Sequence, residues 1–250
     1  TTTAFRAQRV LEEVGNRNNA QEVTTQRYLA ALNGEVDWMG EWGWDAHLSF
    51  SRNEATFDAL NQVNLQNVFS ALRSPATCAA AAGCTPLNIF GQITPAMADY
   101  IRFNGRDEQT AEQIDFALNI SRDLWELPAG PIGFAAGYEY RKESADDRPD
   151  RFANTPSAVL PLVSGARQLP TTAQSRDPTK GSYFLHEAYA EVNLPLLADA
   201  PLAHSLDLDL AARYSDYSTV DGRTTGKVGI AWRPTEDLLV RPPFSQRFRA

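Results

Sequence analysis

VDWMGEWGWD, residues 36–45, places three of the chain's five tryptophans within seven positions around one Gly-containing turn. The residues on either side of that turn decide the fold. Upstream, Tyr28, Ala30, Leu32, Val36 and Trp38 fall on one face, and Asn33, Glu35 and Asp37 on the other. Downstream, Trp42, Trp44, Ala46, Leu48 and Phe50 oppose Asp45, His47, Ser49 and Ser51. Strict alternation is the period of a β-strand, so the segment is a hairpin with one apolar and one polar face.

The same alternation recurs along the chain. Ile114, Phe116, Leu118 and Ile120 form one such apolar set, and Phe134, Ala136, Tyr138 and Tyr140 another. Ala188, Ala190, Val192 and Leu194 form a third, and Leu206, Leu208, Leu210, Ala212 and Tyr214 a fourth. Val228, Ile230 and Trp232 close the series. With a first strand over 5–14 and a last over 238–248, the pattern predicts roughly nine strands of about ten residues, longer than the ~5–6 of soluble sheets. Connections near 39–41, 126–131, 195–203 and 234–237 are short. Those near 52–110 and 143–182 are long and polar, and those near 15–25 and 218–223 are modest but lie on the same side. Short turns at one end and long loops at the other is the arrangement of an outer-membrane barrel. Loops this long are uncommon in compact soluble domains and are usually functional.

All five tryptophans, Trp38, Trp42, Trp44, Trp125 and Trp232, sit at strand ends beside short turns. Indole places its ring in hydrocarbon and its N–H near water, which concentrates it at a membrane interface. Five tryptophans at one rim predict half of an aromatic girdle; the alternative is a cap over a soluble sandwich core. The polar face mixes Asp, Glu, Arg and Lys with Gly, Ala and Ser, as a water-filled or plugged lumen would.

Composition narrows the function classes. The 250 residues are 43% hydrophobic and 22% charged, so the chain is not disordered, and they suffice for one large domain or two ordinary ones. A net charge of −8 leaves nothing to neutralise phosphates and argues against nucleic acid. No run approaches the ~18–20 apolar residues of a spanning helix. Cys78 and Cys84, in CAAAAGC, are either two small buried residues or a local disulfide of an oxidising compartment. With no His nearby they make a poor zinc site. Of the three histidines, His47, His186 and His204, His47 and His204 sit near alternate-strand positions with no nearby Ser or Cys nucleophile motif, and Glu187 and Glu191 share a strand face as carboxylates of a polar lumen do. Neither a Gly-rich phosphate loop nor EF-hand spacing is present. No catalytic residue, metal site or cofactor is expected.

FRAQRVLEEVGNR (5–17), GEVDWMGEWGWDAHLSFSR (34–52), CAAAAGCTPLNIFG (78–91), FLHEAYAEVNLPLL (184–197), the hairpin pair over 206–241 and FSQRFRA (244–250) occur in an order that resembles the β-barrel of TonB-dependent outer-membrane receptors. The family's outer-loop motif carries paired cysteines, here Cys78 and Cys84, followed by Pro86, Asn88, Phe90 and Gly91. Pro242 and Pro243 depart from it, falling where the family continues a strand.

The resemblance implies an all-β fold: an antiparallel transmembrane β-barrel fragment in which residues 1–250 supply part of a barrel of about 22 strands with long extracellular loops. A chain that opens TTTAFRAQRV and stops at SQRFRA is expected to be an interior piece, with the plug, the TonB-contacting segment and the closing strands elsewhere. Such a piece is not expected to close alone. The resemblance further implies a bacterial outer-membrane location and uptake of a scarce nutrient, of the siderophore, cobalamin, haem or oligosaccharide class. The implied partners are that small-molecule ligand, outer-membrane lipid, and TonB with its inner-membrane energising complex. Ligand contact is expected in the outer loops, at Phe90, Tyr100, Arg102, Phe103 and Arg106, whose aromatic and guanidinium groups can stack on or pair with a siderophore or sugar. The competing expectation is that these aromatics hold the loop's own small core while the arginines are solvated. ESADDRPDRF (143–152) reads as a solvated loop. The alternative functions are a passive porin-like channel and a soluble carbohydrate-binding β-protein.

Overall fold

A computed structural model describes residues 9–80, 83–158, 160 and 168–246. The strands are β1 (Asn18–Asp37), β2 (Glu41–Val63), β3 (Arg102–Leu127), β4 (Gly130–Arg148), β5 (Thr179–Ala200), β6 (Ala203–Tyr217), β7 (Val220–Thr235), β8 (Leu238–Val240) and β9 (Pro243–Ser245). They form one open sheet in the order β1 to β8, with β9 also pairing β7. β5 is antiparallel to β6, β6 to β7, and β7 to both β8 and β9. None of the described helices is long and apolar enough to cross a membrane.

The first seven strands run 15 to 26 residues, well beyond the expected ten. Alternation reveals only the stretch where one face is apolar. Beyond it, segments such as NNAQEVTTQR (18–27) and RFNGRDEQTAEQ (102–113) are polar on both faces and lose the signal, yet stay in the ladder. The long loops shrink to match: the connections predicted over 52–110 and 143–182 reduce to 64–101 and 149–178. The predicted loop over 15–25 is strand from Asn18, and the one over 218–223 is a two-residue turn between Tyr217 and Val220.

The strand predicted over 5–14 lies partly outside the described residues. Its described part holds a single 3-10 turn, Glu12–Val14, ended by Gly15 at φ 98°. Val14 breaks the alternation because it is buried in a small apolar core rather than in a sheet face. The last predicted strand, over 238–248, is broken: β8 ends at Val240 and pairing resumes at Pro243 opposite Gly229, with Arg241 and Pro242 unpaired between them. Pro243 opens β9, a position where its missing N–H costs least. Residues 247–250 of FSQRFRA lie outside the described residues.

The chain clusters into two compact units. The first comprises residues 1–24, 53–110 and 145–180, and the second 25–52, 111–144 and 181–250. The division falls within β1, β2, β3, β4 and the first residues of β5, which contribute residues to both.

Connection 64–101 in the first unit is not structureless. It carries α1 (Leu65–Ala71), α2 (Pro75–Ala79) and α3 (Pro95–Ile101). Asn64, Ser74 and Thr94 cap them by accepting from the amides of Asn67, Thr77 and Met97. Ser74-Pro75 and Thr94-Pro95 place a cap before a first-turn proline, a signal readable in the sequence. Leu87, Ile93, Ala98 and Ile101 pack with Val14 and Ala71 into the small core. A disulfide joins Cys78 to Cys84.

Candidate functional site

The second unit has two chemically opposite faces. On β6, Leu206, Leu208 and Leu210 lie beside Trp232, Ile230 and Val228 of β7 and beside Leu197, Leu194 and Val192 of β5. Leu48 on β2 and Ile114 and Leu118 on β3 add exposed large side chains of the same even numbering. A water-soluble surface rarely carries so continuous an apolar area. On β6 the band runs from Leu206 to Tyr214, about 27 Å along the strand and, at a tilt near 40°, about 21 Å of height. That is close to the apolar band of an outer-membrane barrel.

Aromatic side chains bound this band at both ends. At the turn end, the Trp42 indole N–H donates to the Trp38 carbonyl at 3.1 Å, and the Trp232 N–H donates to the Leu202 carbonyl at 2.9 Å. Arg122 lies 4.9 Å from the Trp42 ring centroid while donating to the Met39 carbonyl at 2.8 Å. Met39 and Gly40, both at positive φ, make the tight turn that lets Trp38 and Trp42 meet. The Trp44 ring covers the bare backbone of Gly34 on β1. Trp42 at this turn, and Trp232 at the turn between β5 and β6, thus each place the indole N–H on a turn carbonyl. Trp38 and Trp125 are 68% and 70% exposed. Trp125 keeps the turn end, but alternation from Ile120 gives it the parity of the polar face.

At the opposite end of the band, Tyr138, Tyr140 and Phe184 surround His186, with the Tyr138 hydroxyl 2.6 Å from His186 Nδ1. Tyr28 stacks on Phe50 at 6.4 Å. This second aromatic row escapes the sequence because it is spread over β1, β2, β4 and β5.

The other face of the unit is a polar ladder. His47 Nε2 lies 2.7 Å from Asp115 Oδ1. Asn119 donates to Asp45 at 2.8 Å and accepts from the Tyr189 hydroxyl at 2.8 Å. The Tyr189 ring passes over Gly137, where an added Cβ would collide with both Tyr189 and Asn119. Asn193 donates to Asp209 at 2.7 Å, Arg213 donates to Glu187 at 3.2 Å, and Ser215 donates to the same carboxylate. Glu187 is thus held by Arg213 and Ser215.

The five loop residues expected to meet ligand are not gathered at one place. Arg102, Phe103 and Arg106 lie on β3 rather than in a loop. Arg102 donates to the Val14 carbonyl at 2.9 Å and pairs with Asp99. Tyr100 packs against the small core. The Phe103 ring sits 5.4 Å from that of Phe152. Arg106 makes a bidentate pair with Asp58, at 2.6 and 2.9 Å, which holds the Asp58 carboxyl below its usual range. Phe90 is 77% exposed.

A cavity of about 550 Å³ lies elsewhere in the first unit, between the outer ends of β1, β2 and β3 and connection 149–178. Its lining includes Arg17 just before β1, Asn19 and Gln21 at the start of β1, Phe57 and Gln62 on β2, Asp107 on β3, and Thr172, Gln174 and Arg176 from the connection. Sequence reading missed it because its β1, β2 and β3 residues occupy strand extensions that carry no alternation. Arg176 fixes the cavity's wall. Its guanidinium donates twice to Asp147, at 2.8 Å each, and once to Asp107 at 2.7 Å, and its backbone N–H donates to Asn154. Asp150 caps α4 (Arg151–Asn154) through the Ala153 amide and also accepts from the Arg106 amide.

The hydrogen bond from Arg176, ahead of all other causes, lowers the Asp147 pKa. A carboxylate with a depressed folded pKa contributes stability above its unfolded value, near ~3.9, and loses it as pH falls through the folded value. Protection factors of the described amides in 149–178, corrected for intrinsic exchange, are therefore expected to hold down to about pH 4 and to fall below it. Unchanged protection well below that pH would remove Arg176 as the clasp.

A family model described as TonB dependent receptor-like, beta-barrel, matches residues 2–250. No curated protein and no solved structure matches the chain.

Proposed function

We propose, for a chain that belongs to the TonB-dependent receptor β-barrel family, that it supplies wall and outer-loop surface of an outer-membrane receptor. This receptor captures a scarce nutrient and imports it with energy transmitted by TonB and its inner-membrane complex. The observation that carries the reading is the division of the second unit into two faces. An apolar band lies between two aromatic rows, and a hydrogen-bonded polar ladder occupies the reverse side of the same strands. A bilayer on one side and a hydrated interior on the other account for both. The resident ligand is a small molecule held at the loop end, with Phe90 among its first contacts. The carboxylates of the polar ladder line the transport path and carry out no chemistry.

The test is uptake in the source bacterium. Deleting the receptor is expected to abolish growth on its limiting nutrient, and loss of TonB to reproduce that defect with the receptor still in the outer membrane. Uptake that is indifferent to TonB would replace the active receptor with a passive channel.

A further inference from the structure

The geometry of the cavity in the first unit points to an uncharged, hydroxyl-rich ligand: we infer that it is a saccharide subsite. This rests on the receptor reading and narrows its ligand class.

Apart from Arg17, the charged groups around the cavity are already spent on one another or on backbone amides. Arg176 is taken by Asp147 and Asp107, Asp58 by Arg106, and Asp150 by the amides of Ala153 and Arg106. Among the lining residues, three carboxylates face two guanidiniums, so the wall has no positive excess to draw in an anionic ferric chelate. None of the lining residues is His, Cys, Met or Tyr, the side chains that ligate haem iron. What remains open besides the Arg17 guanidinium is neutral. Asn19, Gln21 and Gln174 line the cavity with amides that have no hydrogen-bond partner among the described residues, each offering both a donor and an acceptor. Thr172 donates to Gln62 Oε1 at 3.2 Å, which leaves the Gln62 NH₂ to donate inward.

A sugar hydroxyl both donates and accepts, and so matches an amide on each count. A carboxylate or catecholate only accepts and would leave half of each amide unmet. Phe57 adds one half-buried ring on which the C–H face of a sugar can lie. The volume falls within the ordinary range for small-molecule sites, and the lining is far more polar than a site for an apolar ligand would be.

The test is calorimetric titration of the receptor in detergent with neutral malto-, xylo- and chito-oligosaccharides, a ferric tris-catecholate, haem and an uncharged peptide. At least one neutral oligosaccharide is expected to bind. Gln174→Ala and Asn19→Ala should each weaken it roughly tenfold, and Phe57→Leu should weaken it while thermal unfolding stays unchanged. Binding of the catecholate, haem or the peptide that is lost in the same variants would overturn the saccharide subsite. So would failure of every oligosaccharide to bind, or glycan binding insensitive to all three substitutions. TonB-dependent uptake surviving such a result would leave the receptor standing. Glycan binding with TonB-independent uptake would instead overturn the energised receptor and keep the subsite.

Discussion

Leu210→Arg is expected to cost about 2–4 kcal/mol of folding stability and to deplete the protein from the outer membrane. Leu210 is 37% exposed and sits halfway along the β6 apolar band, flanked by Val192 and Val228. In a water-soluble sheet, an arginine at a side chain this exposed would reach solvent, and the change would stay within about 0.5 kcal/mol. At the middle of a bilayer the guanidinium has no water within reach. Ala211→Arg is the paired control, one residue along and on the polar face, where Glu191 lies opposite in the register. It is expected to leave folding in detergent and lipid vesicles nearly unchanged. Urea titration of both variants in vesicles, read by tryptophan fluorescence, separates the cases. Equal tolerance of both substitutions would remove the membrane from the account.

The contrast between these neighbours also explains which parts of the fold the sequence discloses. Alternation is visible where a bilayer forces one face to be apolar, so the cores of β1 to β7 can be placed by eye. The extensions of β1, β2 and β3 toward the long loops face water on both sides, and residues such as Asn19, Gln21 and Asp107 look like loop. The hydrogen-bond ladder continues there because a strand's backbone is satisfied only by its neighbours, whatever its side chains are. The cavity consists largely of such extensions and was therefore illegible. The expected ligand residues are aromatic and Arg groups of the loop predicted over 52–110. Three of them proved to be strand residues, and Arg102 and Arg106 hold carbonyls or carboxylates that only the fold brings near. Partners separated by 48 to 88 positions, as in Arg106–Asp58 and Arg102–Val14, leave no local trace. The capped helices of 64–101 did leave one, in Ser74-Pro75 and Thr94-Pro95.

Ile101→Ala is expected to loosen connection 64–101 while leaving the strands intact. Ile101 ends α3 at 0% exposure, and its carbonyl accepts from the Asn64 amide at 2.8 Å. It therefore closes the connection on itself, joining the start of the segment to its end. Replacing a fully buried Ile by Ala removes transfer energy and opens a void, together worth about 2–5 kcal/mol. A core this small has few neighbours able to collapse into the space. The connection should accordingly open at least about thirtyfold more often. Hydrogen exchange is expected to accelerate across α1, α3 and the Val14 turn, since Arg102 ties that turn to the same corner. Amides of β5 and β6 should exchange at the parent rate, because the bilayer band and the polar ladder hold them without help from this core. Acceleration confined to α3 would show that α1 and the turn are anchored separately. Acceleration that spread to β6 would show that the two units unfold as one.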